Sequence, residues 1–408
     1  MFIFILAWRI DAPPIPNDYT IADFRSVTAD CAESYELLKI LTDPNNNLIE
    51  QTSDKNTLEI GISSEEISII NEIHDAIEKG NDQEISKNLR ENADMIEQAW
   101  DRTEKARDII HQLNEFPEIA DLYEPSFTNT LNEISLLIDL ARLYEIYAHL
   151  HSEPDDIHQI TMELVELDSV FRKFNLNARL ELNKLMCYVI IKTDILSANT
   201  IANKPRVSKE SIKLLANHFQ SLTKQQLSMK NSLLFNYLSL KYIIFGIPKE
   251  GASKVIPVFK ENSALRLYRN YYLDSLKALE EDVDIPIERL NVWPAYLPFQ
   301  EPAIPEENGQ MSFLYRNYNP VGSLLLMMSF NTLRITKEKK YAIKTNNDLL
   351  QIVLNIRLGR GIELQDDNME YIIDIENKCI SSPGPDGEYG TEDDIKLPIN
   401  PEVLGLAK

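Results

Sequence analysis

Glycine is scarce in this chain, and so is cysteine. Twelve glycines in 408 residues are too few for the turn-rich build of a sandwich or barrel. The three cysteines, Cys31, Cys187 and Cys379, include no C-x-x-C pair. At most one bridge could join them, which argues against a disulfide framework, a thiol redox centre and a cysteine zinc site. Positive charge is also short, with 41 Lys and Arg against 64 Asp and Glu, a net of −23. A surface of that sign repels phosphate, so nucleic acid is rejected as a partner. The chain carries no Gly-x-Ser-x-Gly, no His-Glu-x-x-His and no Gly-x-x-x-x-Gly-Lys-Ser/Thr. The familiar hydrolase, metalloprotease and phosphate-loop signatures are therefore missing.

What is present favours helices. The apolar fraction is 44%, enough for a sizeable core, and Leu, Ile, Glu, Lys and Asn are abundant. The expected fold is mainly α: an antiparallel, solenoid-like helical array with a small C-terminal β-strand-and-loop unit. Residues 1–16 read as a membrane-anchor stub with a proline spacer. Residues 17–250 form the array, 251–360 add helices and a proline-rich extended segment, and 361–408 hold the strands and an acidic loop. The run Met1 to Trp8 (MFIFILAW) is shorter than the ~20 apolar residues of a membrane span. It lacks the basic start and the cleavage site of a signal peptide. The favoured reading is the end of a membrane anchor; the other is a short segment docked on the core.

Periodicity places the helices. Ser63 caps one that stops at Lys79-Gly80, and a single helix follows over 82–113. Others cover 126–150, 154–174, 178–198, 208–222, 224–245 and 261–281. A stretch over 322–356 is expected to break at Asn346-Asn347. Short strands are expected over 371–375 and 378–380. No fixed-period repeat is visible.

The most telling segment is Ser381-Ser382-Pro383-Gly384-Pro385-Asp386-Gly387-Glu388-Tyr389-Gly390-Thr391-Glu392-Asp393-Asp394-Ile395. Its glycines and prolines force tight turns. Crowded carboxylates repel unless a cation sits among them, and calcium takes six to eight oxygens in a flexible cage. Asp386 can enter such a cage from one arm, and Asp393 with Asp394 from the other. The spacing is not that of an EF-hand, and a solvated acidic turn is the plainer alternative. Residues 378–395 also resemble the C-terminal calcium loop of the major pseudopilins of type II secretion systems. There a strand enters Ser-x-Gly-x-Asp-Gly, and acids ending in Asp-Ile follow a glycine-rich turn. The resemblance implies calcium, with Asp386, Asp393, Asp394 and the Pro383 carbonyl as ligands. It does not imply pilin assembly, because over 300 residues separate this loop from the N-terminus. The whole chain is similar, more weakly, to large membrane-anchored helical proteins of the bacterial envelope. That similarity rests on the N-terminal stub, the proline spacer, the helices and the step Asn319-Pro320-Val321-Gly322. It implies the periplasmic side of the envelope, with a cytoplasmic location as the alternative.

Three further groups offer candidate chemistry. His149, His151 and His158 with Glu153, Asp155 and Asp156 offer metal-ligand types, yet they fall in a turn that would be polar anyway. Glu163, Glu166 and Asp168 share a helix and could pair as acid and base. Tyr268, Tyr271, Tyr272, Trp293, Tyr296, Phe299 and Tyr315 could line a peptide or glycan groove, or staple an extended segment to helices. The leading expectation is a non-catalytic, envelope-associated scaffold or binding protein. It would have a protein or peptide partner, a structural calcium loop and a link to secretion. The alternatives are an envelope hydrolase with dispersed active groups and a cytosolic scaffold without metal. Oligomeric state is left open.

Overall fold

Local cues set the first helices. The computed structural model describes residues 14–16, 18–23, 30–42, 62–122, 135–151, 153–246, 261–280, 332–360 and 371–406. Among these, α1 is Asp30–Thr42, α2 is Ser64–Glu78, α3 is Asp82–Arg102 and α4 is Glu104–Glu115. The start of α2 is a capping box: the Ser63 hydroxyl accepts from the Glu66 N–H, and the Glu66 carboxylate accepts from the Ser63 N–H at 2.7 Å. Its end is a left-handed Gly80 (φ +64°), with the Asn81 N–H donating back to the Ala76 carbonyl. The single helix expected over 82–113 is divided at Thr103. That buried hydroxyl donates to the Trp100 carbonyl at 2.7 Å, turning the chain between α3 and α4.

The remaining helices are α5 (Ser135–Leu150), α6 (Pro154–Asn177), α7 (Glu181–Ala202), α8 (Lys209–His218), α9 (Lys230–Gly246), α10 (Glu261–Glu280) and α11 (Thr332–Arg357). Proline opens α6, where its missing N–H costs nothing. Nine of the eleven described α-helices form two rows, and α9 and α10 pack on each other beside them. One row runs α1, α4, α6, α8; the other runs from the α2–α3 pair through α5 and α7 to α11. This is the solenoid-like arrangement, mainly helical as its composition requires.

Helix α7 is the hub, with α5, α6, α9 and α11 packed around it. It is long and apolar enough to cross a membrane, but most of its apolar stretch is buried inside this protein. A helix apolar all round belongs in a core or a bilayer, and here its neighbours are protein. Cys187, Tyr188, Ile190, Ile191, Ile195, Ala198 and Ile201 are all buried. Each large apolar side chain among them contributes about 1.5–3 kcal/mol by leaving water.

Several boundaries move. Residues 224–227 are turns, and α9 begins at Lys230, where the Glu280 carboxylate accepts from the Met229 N–H at 2.6 Å. Helix α8 stops at His218, before Leu222. No break occurs at Asn346-Asn347. The Asn346 amide donates to the Ala342 carbonyl one turn back. The buried Asn347 amide donates to the Gln220 carbonyl at 2.9 Å, and its oxygen accepts from Arg172. Tertiary partners thus hold two residues of turn character inside a helix.

The C-terminal unit is a three-stranded antiparallel sheet of β1 (Ile372–Asp374), β2 (Cys379–Ser382) and β3 (Ile395–Pro398), in the order β1-β2-β3. The third strand was not anticipated. The sheet packs on α11 and touches α7. Residues 1–8, the expected anchor stub, lie outside the described residues, as do the proline-rich segment (284–319) and Asn319 to Gly322. The spacer just after the stub docks on the array. Ile15 and Tyr19 pack on the core, and Asp18 accepts from Tyr237 at 2.7 Å and Lys241 at 2.6 Å.

Candidate functional site

The acidic loop is the connection between β2 and β3, so two paired strands fix both of its ends. Ser382 stands opposite Ile395 in the register. Gly384 lies flat against Asp393, where a Cβ would overlap the Asp393 carboxylate and carbonyl. Gly387 (φ +75°) and Gly390 (φ +88°) take left-handed turns that other residues rarely adopt. The Asp386 N–H donates to Asp393 Oδ2 at 3.2 Å, and the Thr391 hydroxyl donates to Asp393 Oδ1 at 2.6 Å. Asp386 Oδ1 accepts from the Glu388 N–H at 2.8 Å, and Asp394 Oδ2 accepts from the Gly390 N–H at 2.9 Å. The Thr391 hydroxyl, more than any other contact, holds the Asp393 carboxyl below its usual range.

Asp394 differs from the other two. Its side chain is only 5% exposed, Lys396 Nζ is 3.8 Å away, and its buried Oδ1 has no hydrogen-bond partner among the described residues. The Pro383 carbonyl accepts from Tyr341 Oη at 2.9 Å, which ties the loop to α11. The donor chemistry fits calcium: hard oxygens only, one of them buried and unpartnered. As arranged, backbone N–H groups and Thr391 occupy the carboxylates. Among the described residues, no three His, Cys, Asp or Glu side chains converge as a metal cluster.

The fold separates most of the other candidates, although within the histidine group His151 Nδ1 lies 3.6 Å from Asp156. His149 Nε2 is 2.9 Å from Thr200 Oγ1, and burial, then Lys204, lowers its pKa to about 3, so it is neutral. His151 lies 3.0 Å from Glu97, and His158 lies 3.0 Å from Ser211. Glu163 pairs with Arg107 at 2.9 Å and Glu166 with His111 at 2.9 Å, whereas Asp168 points into the core. They do not form an acid–base pair. Tyr268 and Tyr272 do not line an open groove: both are buried, packed with Tyr19 and Tyr237. The side chain of Tyr271, and Trp293, Tyr296, Phe299 and Tyr315, lie outside the described residues.

A buried polar group lies between α6, α7, α8 and α11, and of its members only Asp168 stands among the sequence candidates. Asp168 bonds Arg172 and lies 2.6 Å from His218 Nε2; Arg172 reaches Asn347 at 2.9 Å. Burial alone would raise the Asp168 pKa, but Arg172 and His218 reverse this and lower it. Asp194 on α7 is fully buried, and neither of its oxygens has a hydrogen-bond partner among the described residues. Burial first, then the Asp168 charge, raises its pKa well above normal, so it is held as the neutral acid. The signal missed was one acid, Asp194, in the mostly apolar stretch Cys187 to Ala202, whose other charged residue is Lys192. Nearby, Glu145 and His74 form a second buried pair at 2.6 Å. Compared with known proteins, the chain matches no family model, no curated protein and no solved structure at significance.

Proposed function

We propose that this chain is a non-catalytic scaffold and binding protein of the bacterial envelope, linked to secretion, whose C-terminal unit is ordered by a structural calcium ion. The observation that carries the metal part is Asp394 Oδ1, a buried carboxylate oxygen with no hydrogen-bond partner among the described residues, in the loop that also holds Asp386 and Asp393. Calcium there would relieve carboxylate repulsion and lock the β2–β3 connection, as metal binding couples to folding elsewhere. Asp386, Asp393 and Asp394 would supply side-chain oxygens, and the Pro383 carbonyl would supply its second lone pair while keeping Tyr341. The helical rows supply the scaffold. Their buried acids support a structural role, since Asp168, Asp194 and Glu145 are all fully buried.

The test is calorimetry and thermal melting of the full chain with millimolar calcium or with chelator, on wild type, Asp386→Ala and Asp394→Asn. Wild type should bind calcium and melt higher with it, and both variants should lose most of that shift. Absence of calcium heat and of any shift in wild type would reduce the loop to a surface turn. The envelope part is checked by fractionating cells that express the tagged chain: recovery in the cytosol alone would overturn it.

A further inference from the structure

A cleft of about 590 Å³ lies where the end of α7 meets the C-terminal unit. That size suits a small organic ligand. Ile77 and Ile85 from the α2–α3 corner, Leu196 from α7, and Ile375, Pro398 and Ile399 from the sheet unit give it apolar walls. Two lysines, Lys204 and Lys378, and one carboxylate, Glu402, also line the cleft; Lys204 lies just past the end of α7 among the apolar walls. Lys204 Nζ donates to the main-chain carbonyls of His149 and His151 at the end of α5. Those carbonyls take two of its three hydrogens. No carboxylate pairs with it among the described residues, although the chain carries 23 more acids than bases (64 against 41). Burial lowers its pKa to about 8, so it is cationic at neutral pH and sensitive above it. Three neutral polar side chains lining the cleft, Asn199, Asn203 and Thr200, are already engaged. Asn199 and Asn203 donate to the Pro398 carbonyl, Asn203 Oδ1 accepts from the Asn400 N–H at 2.6 Å, and Thr200 faces His149.

We infer that this cleft binds a small aliphatic carboxylate, its anionic head on Lys204 and its chain along Ile77, Ile85, Leu196 and Ile375. A single remaining ammonium hydrogen suits one carboxylate oxygen, whereas a phosphate dianion calls for several donors. The apolar walls favour a hydrocarbon body over a free inorganic anion. The bound ligand would bridge the α2–α3 corner, α7 and the C-terminal sheet. The calcium loop, residues 383–394, contributes nothing to the cleft, so the two proposals stand separately.

The test uses the full chain, with octanoate, octanamide and inorganic phosphate as probes in calorimetry and ligand-observed NMR. Octanoate should bind at least tenfold more tightly than octanamide, and phosphate should not compete. Its affinity should fall as pH rises from 7 to 9.5 and Lys204 loses its proton. Lys204→Met should abolish the preference for octanoate over octanamide. Because Lys204 also caps α5, Ile375→Glu serves as a second variant. It sets a carboxylate at the half-exposed lip and should weaken octanoate while leaving the melting temperature unchanged. Equal binding of octanoate and octanamide, or retained preference in Lys204→Met, would overturn the proposal. So would displacement of octanoate by phosphate, or the absence of any octanoate binding.

Discussion

Asp194 shows how much a single residue can weigh in this fold. An ionised carboxylate without partners in the interior is very costly, so the folded protein keeps it protonated. The sign of its pH effect follows. Below the unfolded value near 3.9, both states hold the proton and nothing is lost. As pH rises from there toward the raised folded value, the unfolded state gives up the proton that the folded state must keep, and stability falls. Asp194→Asn removes that dependence. It should leave stability unchanged near pH 3.5 and raise it at pH 8 by at least about 1 kcal/mol, roughly 2 °C in melting temperature. Thermal melts of both proteins across pH measure this, and equal shifts at the two ends would show that Asp194 is ionised in the fold.

Among the elements, α2 carries the clearest local design. Its capping box satisfies two N–H groups at once, and the same Glu66 also pairs with Arg102 at the end of α3. Burial would raise the Glu66 pKa, but the Ser63 N–H and Arg102 outweigh it and lower the value. That stabilisation is present above the unfolded carboxylate value and is lost as pH falls through the folded one. Ser63→Ala should cost about 1 kcal/mol, and Glu66→Ala should cost more because it breaks the cap and the α2–α3 tie together. Urea denaturation at pH 7 distinguishes the two. Equal losses would mean that the Arg102 contact contributes nothing.

At the scale of the whole molecule, two asparagines join the C-terminal sheet to the array. Asn199 donates to the Pro398 carbonyl at 2.7 Å, and Asn203 accepts from Asn400 N–H. On the other flank, Arg357 at the end of α11 donates to the Val403 carbonyl at 2.9 Å. Asn203→Ala should therefore speed hydrogen exchange in residues 395–406 at least several-fold while leaving α5 and α6 protected, since local openings follow local contacts. Uniform acceleration along the chain would instead mean that sheet and array unfold as one cooperative unit.

Sequence alone determined the helical class, most of the helix positions and the strand that leads into the acidic loop. Those depend on period, caps and turn residues, all local signals. Asn346 and Asn347 read as a break because their side chains compete with helical hydrogen bonds; only the tertiary fold supplies Arg172 and the Gln220 carbonyl that keep them helical. Thr103 read as an ordinary helical residue because its bond to Trp100 is a matter of side-chain rotamer. The three acids of the loop were legible from spacing, but the burial of Asp394 Oδ1 was not, because it depends on how the loop packs in the folded chain. Asp168, Asp194 and His218 could not be grouped in advance, since they come together only when α6, α7 and α8 pack. Lys204 acquires its setting in the same way, from the ends of α5 and α7 and the incoming sheet. Local pattern decided which elements form; long-range packing decided which charges lose water, and therefore which residues can bind.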